Sequence, residues 1–364
     1  LMQTLMEQLP RTIKAAVAFL FACTVLLNGC SRNDGTETID IYKFDVKQLT
    51  EARMDSLSVE KEVIELTSDD VSIPARPQKV KIAGDRIYVL DNPAIREYRM
   101  LVFDRSGQFI RQIGAMGRGP GEYLGISDFA IAPDSSLWIE DAVANNLIHY
   151  SKDLRYIGTV PTSYDADCME FLEDGNLIVN ISHWNPDRIR IAVTDTLFGE
   201  ENRRTVINYN YEPNPYVHYG SGQLNIIREG WLHSYPPLGD IYLFDSKDGK
   251  LKQHFFLDFG PDKITAEDIL ELGDGSDDMK FIQSIEDHVF LLRAAYVSDD
   301  YIIGRINDKK DDKDFIADRN SRVIYKSQPG SPSRIIGQSG DWTMSLATPD
   351  TEEAHYKLIL RRFQ

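Results

Sequence analysis

Gly117, Gly119 and Gly121 alternate along the chain in a spacing that could cradle a phosphate group. Such a cradle needs a helix N-terminus directly behind it, because the free amides and the dipole of the helix hold the anion. The residues that follow, Ile126–Ile131, alternate like a strand, and no Gly-Lys-Ser/Thr sequence occurs. We therefore expect a connection between two β-sheets that needs positive φ and close backbone approach. The alternative is that this loop binds a ligand through Arg118, Glu122 and Tyr123.

A second group of candidate binding residues lies in the segment 209–235, which is rich in aromatic side chains and amides. Flat rings beside amides suit a rim that stacks sugars or binds a peptide. Aromatic rings also pack between neighbouring sheets. The same two interpretations, ligand binding or packing, apply to residues 183 and 184. The candidate ligand residues of these segments are His183, Trp184, Tyr211, Tyr216, His218 and Tyr219.

Seven histidines are spread along the chain without a His-x-His or His-Glu-x-x-His pattern. No Gly-x-Ser-x-Gly sequence occurs, so a hydrolase nucleophile of that kind has no support. We assign no catalytic residue and no cofactor from these motifs. A divalent metal held in a central channel by residues of different sheets stays an open alternative.

Two acidic runs, Asp274–Asp278 and Asp308–Asp318, lack the ordered oxygen spacing of an EF-hand loop. We predict that both are solvated loops. Cys168 lies beside Met169 in an apolar run, and we predict a small buried hydrophobe rather than a reactive thiol. The formal net charge of −17 over 364 residues argues against nucleic acid or an anionic membrane surface as a partner.

The residues above are positioned by one repeated unit: a strand, a tight acidic or glycine turn, and a second strand. Successive turns lie 40 to 57 residues apart, which is the length of a four-stranded sheet with its loops. The sequence therefore predicts an all-β fold, a six-bladed β-propeller. The six copies are Lys79–Asp91, Phe129–Asp141, Met169–Ile181, Leu224–Tyr235, Phe281–Arg293 and Arg334–Leu346.

The two ends of the chain predict how the ring closes. After the sixth copy only one further strand is available, His355–Phe363, whereas Glu62–Leu66 is a spare strand ahead of the first copy. Pairing Glu62–Leu66 into the last blade would close the ring and remove exposed strand edges. We therefore predict an N-terminal strand beside the C-terminal strand.

The segment 114–123, which follows the hairpin at Phe103–Gly107, resembles the signature of the six-bladed β-propeller lipoprotein family of Gram-negative bacteria. That family is itself similar to NHL-repeat propellers, and its most specific element here is Gly119–Tyr123. The resemblance covers nearly the whole chain after the N-terminal apolar run. It implies an NHL/TolB-like propeller and a place at the cell envelope, and it carries no agreed activity.

The N-terminal region has the pattern of an export signal. Arg11 and Lys14 precede a 13-residue run, Ala15–Leu27, that is apolar except for Thr24. This run is shorter than the about 20 residues that a membrane-spanning helix needs. Leu27–Cys30 resembles a lipobox, which implies acylation of Cys30, with simple secretion as the alternative. We predict a lipoprotein signal peptide over 1–29, a polar stalk over 30–58 and the propeller over 59–364.

These observations predict an envelope-anchored lipoprotein, on a periplasmic or surface face of the outer membrane, that serves as a binding or scaffold module. Loops at one end of the propeller would bind a glycan, a peptide or an envelope protein. The membrane would be contacted only through the lipid anchor. The alternative function is a metal-dependent hydrolase or lyase, lactonase-like, that uses the central channel.

Overall fold

The computed structural model describes residues 39–43, 50–52, 54–67, 74–94, 97–163, 166–181, 189–197, 200–208, 223–227, 230–235, 239–263, 265, 268, 287–297, 300–308, 311–320, 324–327, 333–349 and 355–363. All of them belong to one compact unit, Ile39–Gln364. The predicted signal peptide and Cys30 lie outside the described residues. Within those residues, no helix is both long and apolar enough to cross a bilayer.

The described residues are mostly strands, because β-branched and aromatic residues alternate with polar ones between tight turns. A helical turn, α1 (Met54–Leu57), precedes β3, and 3-10 turns lie at Glu200–Asn202 and Gly260–Asp262. In chain order the strands are β1 (Ile39–Lys43), β2 (Thr50–Ala52), β3 (Ser58–Glu65), β4 (Pro77–Ala83), β5 (Arg86–Asp91), β6 (Arg99–Asp104), β7 (Phe109–Ile113), β8 (Ile126–Ile131), β9 (Leu137–Asp141), β10 (Asn146–Tyr150), β11 (Tyr156–Pro161), β12 (Ala166–Phe171), β13 (Leu177–Ile181), β14 (Ile189–Thr194), β15 (Arg204–Asn208), β16 (Gln223–Ile227), β17 (Gly230–Tyr235), β18 (Asp240–Phe244), β19 (Leu251–Asp258), β20 (Val289–Val297), β21 (Tyr301–Asp308), β22 (Asp311–Asp318), β23 (Ile324–Ser327), β24 (Ser333–Ser339), β25 (Trp342–Ala347) and β26 (Lys357–Phe363).

The strands form six sheets, which we number by their first inner strand. Four have four strands: sheet 1 (β4-β5-β6-β7), sheet 2 (β8-β9-β10-β11), sheet 3 (β12-β13-β14-β15) and sheet 6 (β24-β25-β26-β3). Sheet 4 (β16-β17-β18-β19-β1) and sheet 5 (β20-β21-β22-β23-β2) have five. Neighbouring strands are antiparallel except β1 and β2, which add in parallel to β19 and β23.

Each sheet presents its first strand to its neighbours around a central channel. Strands β8, β12, β16, β20, β24 and β4 contact one another in that order, and an ion pair between Lys79 and Asp128 joins β4 to β8. Buried apolar clusters lie between consecutive sheets, and one of them joins sheet 6 to sheet 1. This architecture is an all-β β-propeller, as the sequence predicts.

The predicted closure of the ring is confirmed. Strand β3 pairs antiparallel with β26, with Val63 opposite Ile359 and Ile64 opposite Leu358. Ile64 and Leu66 are buried between sheets 6 and 1. The spare N-terminal strand therefore completes the last sheet and covers the edge that β26 would otherwise expose.

The prediction of six four-stranded blades is wrong in number, because only four of the described sheets have four strands. Sheets 4 and 5 each gain a fifth strand from the N-terminal segment. Both added strands, Ile39–Lys43 and Thr50–Ala52, fall in the range 30–58 that we predicted as a polar stalk. Pairing to an outer strand satisfies backbone groups of a segment too polar to signal a strand by itself.

One further prediction is wrong in sheet 5, and another falls partly outside the described residues. The first half of the predicted fifth copy, residues 281–286, is not described, and its second half lies in Val289–Val297, which pairs with β21. The acidic run Asp308–Asp318 is a strand rather than a loop from Asp311 onward. Phe315 and Ala317 of this run are buried, so the apolar residues on one face determine its structure despite the charge.

Cys168 is confirmed as a small buried residue. It is 3% exposed and packs with apolar side chains between sheets 3 and 4, such as Ile178 and Phe244.

Candidate functional site

One end of the propeller carries the connections between successive sheets, and we call it the crossover end. Antiparallel strands alternate in direction, so the turn between the second and the third strand of each sheet lies at this end as well. Its described loops include residues 92–94, 97–98, 114–125 and 142–145. The Ala142 amide donates to the Gly125 carbonyl at 3.0 Å, which joins a within-sheet turn to a crossover loop.

The loop 114–125 is held rigidly by its own hydrogen bonds, and it joins sheets 1 and 2 as the sequence predicts. Gly114 has φ +62°, and a Cβ there would lie 2.5 Å from the Gly121 carbonyl oxygen. The hydroxyl of Tyr150 donates to that same carbonyl. The Gly119 amide donates to the Glu122 carboxylate at 2.6 Å. Glycine is therefore needed for close backbone approach, and no helix follows that could complete a phosphate cradle.

The three predicted ligand residues of this loop have different positions. Tyr123 is fully buried, so its assignment to ligand binding is corrected to a core role: its hydroxyl donates to the Ile113 carbonyl at 3.3 Å. Burial raises the pKa of Tyr123 to about 12, which keeps that donor protonated. One carboxylate oxygen of Glu122 accepts a hydrogen bond from the Gly119 amide. Arg118 is exposed, and its contact with a ligand stays a prediction.

The remaining predicted ligand residues cannot be placed. His183, Trp184, Tyr211, Tyr216, His218 and Tyr219 all lie outside the described residues. The strands that precede them, β13 and β15, both run toward the crossover end.

Two aspartates that sequence reasoning missed fix the loops of the crossover end. Asp91 ends β5 and accepts from the Ala75 and Arg76 amides at 3.0 and 2.6 Å. Asp141 ends β9 and accepts from three amides, of residues 124, 125 and 144, at 2.7 to 3.1 Å. The recurrence of an aspartate at the end of the second strand in both repeats is the signal that could have identified them.

The crossover end also exposes apolar side chains. Met116 of the crossover loop is 45% exposed, and Val143 of the adjacent turn is 65% exposed. A Cβ on Gly125 would lie 2.5 Å from a Val143 methyl, so this turn packs directly on the loop. The arrangement can present an apolar surface with little conformational entropy left to lose on binding.

A second cluster of functional interest lies in the central channel and is formed by residues of three inner strands. Lys79 of β4 lies 2.6 Å from Asp128 of β8 and 3.3 Å from Glu170 of β12. Lys81 of β4 contacts the same Glu170 oxygen. Because β4 and β12 belong to sheets 1 and 3, these contacts join inner strands on either side of β8. We call these four residues the channel cluster.

Burial governs the electrostatics of the channel cluster. Removal from water holds the pKa of Lys81 well below its usual range, and the neighbouring Lys79 charge lowers it further. The Asp128 carboxylate opposes this effect. Asp128 of β8 also accepts a hydrogen bond from the Met169 amide at 2.8 Å, which ties this carboxylate to β12. Sequence reasoning missed the cluster, although charged residues inside alternating apolar inner strands are a visible signal.

Metal chemistry finds little support among the residues that the structure describes. They contain no group of three or more His, Cys, Asp or Glu side chains suited to a metal ion. His149 stacks on Trp138 with ring centroids 3.9 Å apart, and His254 lies 2.7 Å from Asp240. The channel carboxylates Asp128 and Glu170 already contact Lys79 and Lys81.

Comparison with known proteins identifies relatives by family and by fold. A family model described as "Domain of unknown function (DUF4934)" matches residues 36–349. No curated protein matches the chain. One similar crystal structure is that of an exported protein from Bacteroides fragilis NCTC 9343, with 18% sequence identity and a TM-score of 0.72. The match covers 90% of this chain and 100% of the other chain. A DUF4221 member from Bacteroides vulgatus is 11% identical with a TM-score of 0.51, covering 84% and 97%. Both likenesses show the propeller fold.

Proposed function

We propose that this protein, which belongs to the DUF4934 family, is a cell-envelope binding module that holds its ligand on the crossover end of its propeller. The observation that carries the proposal is the rigid loop 114–125 with exposed apolar and basic side chains upon it. A preorganised loop on a rigid β-scaffold is the usual form of a binding surface.

The envelope location rests on the N-terminal sequence. Arg11, Lys14, the apolar run Ala15–Leu27 and the following Cys30 fit an export signal with a lipidation site. We infer that Cys30 is acylated and that the protein is membrane-anchored only through this lipid. Retention of palmitate label by the full chain, and its loss in Cys30→Ser, is the expected result.

We also infer that the two five-stranded sheets serve as blades, so that the ring has six. The support is the order of contacts: each inner strand meets the next, and an apolar cluster lies at every junction between consecutive sheets. Six blades place sheets 1 and 3 on either side of sheet 2, which agrees with the contact of Lys81 in sheet 1 with Glu170 in sheet 3.

The described side chains favour a peptide or protein segment over a glycan. Met116 and Val143 offer flexible and branched apolar surface, and Arg118, on the same loop as Met116, adds an exposed cation. A glycan site would need flat aromatic rings for stacking, and the candidate rings lie among residues that the structure does not describe. An extended peptide with apolar and acidic side chains is therefore the ligand class that we propose.

The alternative, a metal-dependent hydrolase or lyase in the channel, gains no specific observation. Both carboxylates of the channel cluster contact a lysine, and the described residues contain no group of three or more side chains suited to a metal ion. A virginiamycin B lyase from Staphylococcus aureus is similar at 10% identity with a TM-score of 0.46, covering 84% of this chain and 99% of that one. At that score the likeness carries no argument about activity.

The test is a selection of binding peptides from a displayed random library on the full-length protein. Met116→Ser with Val143→Ser removes the apolar surface of the crossover end. Ile110→Ser with Ile157→Ser is the matched control, since these exposed residues lie on the outer strands β7 and β11. We expect selected peptides to lose about tenfold in affinity, about 1.4 kcal/mol, in the first variant only. Peptides that bind both variants as well as the wild type would place the binding surface elsewhere and contradict the proposal.

A further inference from the structure

Met116 differs in exposure from the other methionines whose side chains the structure describes. It is 45% exposed, whereas Met100, Met169 and Met344 are at most 2% exposed. An oxidant must reach the thioether sulfur of a methionine to convert it to the sulfoxide. An oxidant that attacks the folded protein from solution therefore reaches Met116 before it reaches those three buried side chains.

The backbone on either side of Met116 is tied to a buried residue. The Tyr123 amide donates to the Ala115 carbonyl at 3.0 Å, and the Gly117 amide donates to the Tyr123 carbonyl at 2.9 Å. Tyr123 itself is fully buried. Because these two hydrogen bonds hold the chain in place, the Met116 side chain stays at the surface. Its oxidation therefore changes the surface without requiring the protein to unfold.

Oxidation would change the chemistry of the crossover end. A sulfoxide puts a polar S–O group where the thioether presents an apolar, polarisable sulfur. An apolar ligand group packed on that position would remove the S–O group from water without replacing its hydrogen bonds, which is unfavourable. Met116 shares the exposed apolar surface of this end with Val143, so the change affects a substantial part of that surface.

We propose that Met116 is a reversible oxidation site that weakens ligand binding at the crossover end. This inference rests on the proposed function, because it assigns regulation to the same surface. The oxidant is a peroxide and the reductant is a thiol-dependent methionine sulfoxide reductase.

The chemistry of the switch is a transfer of one oxygen atom. A lone pair of the Met116 sulfur forms a bond to one oxygen of hydrogen peroxide, and the O–O bond breaks. The proton on the transferred oxygen passes to the departing hydroxide, so the products are methionine sulfoxide and water. The sulfur loses two electrons and the peroxide gains them. Two reductase thiols return two electrons, which yields the thioether, a disulfide and water.

The first test maps the oxidation site and needs no ligand. Folded full-length protein is treated with hydrogen peroxide, and peptide mapping follows the sulfoxide at each methionine over time. We expect Met116 to convert at least about tenfold faster than Met100 and Met344, which react only when the protein opens. Circular dichroism verifies that the treated protein is folded. Conversion of Met116 no faster than that of Met100 and Met344 would overturn this proposal and leave the proposed function untouched.

The second test measures the affinity of the selected peptides before and after peroxide treatment. The wild type should lose at least about threefold, and should recover after treatment with dithiothreitol and methionine sulfoxide reductases for both sulfoxide epimers. Met116→Leu has a similar apolar volume and no sulfur, so the ratio of its affinities before and after peroxide should stay at about one. This variant separates Met116 from every other methionine of the chain.

Two results of the second test would overturn the proposal. One is an equal loss of affinity in wild type and in Met116→Leu, which would assign the effect to another residue. The other is unchanged affinity in wild-type protein that carries the sulfoxide at Met116. Failure of the proposed function looks different, because untreated protein with Met116→Ser and Val143→Ser would then bind the peptides as well as the wild type.

Discussion

At the residue scale, single side chains fix the loop that carries the proposed binding surface. Tyr150 is 4% exposed, and its hydroxyl donates to the Gly121 carbonyl between two turns of the chain. Burial raises the pKa of Tyr150 to about 12, so the hydroxyl is a donor at any physiological pH. The neighbouring Tyr156 is more exposed, and among the described residues its hydroxyl hydrogen-bonds to Thr159 of the same strand at 3.0 Å.

Tyr150→Phe should therefore destabilise the protein by about 1–3 kcal/mol, because it leaves a buried carbonyl without its donor. Urea unfolding followed by circular dichroism measures the change. Tyr156→Phe is the matched control and should have an effect within about 0.5 kcal/mol. Equal losses in the two variants would show that the Tyr150 bond does not hold the loop.

Asp314 gives stability a predictable pH dependence. It is 4% exposed, burial raises its pKa to about 6, and the charge of Arg305, whose Nη1 lies 3.1 Å from Asp314 Oδ1, opposes that rise. Between about pH 4 and pH 6 the folded state therefore keeps a proton that the unfolded state has released. The free energy of unfolding should fall as pH rises through this window, by up to about 1.4 kcal/mol per pH unit.

Asp314→Asn should remove this slope, because an amide does not titrate. Urea unfolding at intervals from pH 4 to pH 7 compares it with the wild type and with Asp85→Asn, a change at an exposed turn residue. A difference between wild type and Asp314→Asn that is constant across this range would contradict the assignment.

At the element scale, the sequence predicts hairpins wherever a tight turn separates two alternating strands. The hairpins around Gly84-Asp85 and Asp174-Gly175 are placed correctly, since glycine with positive φ marks each turn. In sheet 5 the strand Asp311–Asp318 was not predicted, because its sequence is acidic. The added strands β1 and β2 were not predicted either, because a strand that adds in parallel to an outer edge has no turn next to it in the sequence.

The candidate site is predictable only in part for a related reason. The glycine loop is visible because backbone approach demands glycine at fixed positions, such as Gly114. Tyr123 looked like a ligand residue because sequence does not distinguish a rim tyrosine from one folded under its own loop. The channel cluster joins residues of three repeats, from Lys79 to Glu170, and only the closed ring brings them together.

The N-terminal strands differ in their expected contribution to folding. Removal of residues 1–53 deletes β1 and β2, which lie on outer edges, and should leave a cooperatively folding propeller. Removal of residues 1–66 also deletes β3 and with it the buried Ile64 and Leu66, each worth about 1.5–3 kcal/mol of burial. We expect the longer truncation to lose cooperative unfolding in urea and to aggregate. Equal cooperativity of both truncations would contradict the closing role of β3.

At the scale of the whole molecule, the account depends on a ring in which the two ends of the chain share one sheet. This closure orders the inner strands, assigns the loops 92–94, 97–98, 114–125 and 142–145 to one end, and brings the channel cluster together. A large acidic body without a described internal disulfide must then rely on the interlocked sheets for its stability.

The most direct test of this closure is a disulfide between β3 and β26. Val63 and Ile359 are cross-strand partners, so Val63→Cys with Ile359→Cys should oxidise to an intramolecular cystine that peptide mapping identifies. Val59 is equally exposed and lies four residues away on β3, so Val59→Cys with Ile359→Cys should stay reduced under the same conditions. Cystine formation in the first variant alone is the predicted result. Its absence there, or its formation only in the second variant, would contradict the closed ring.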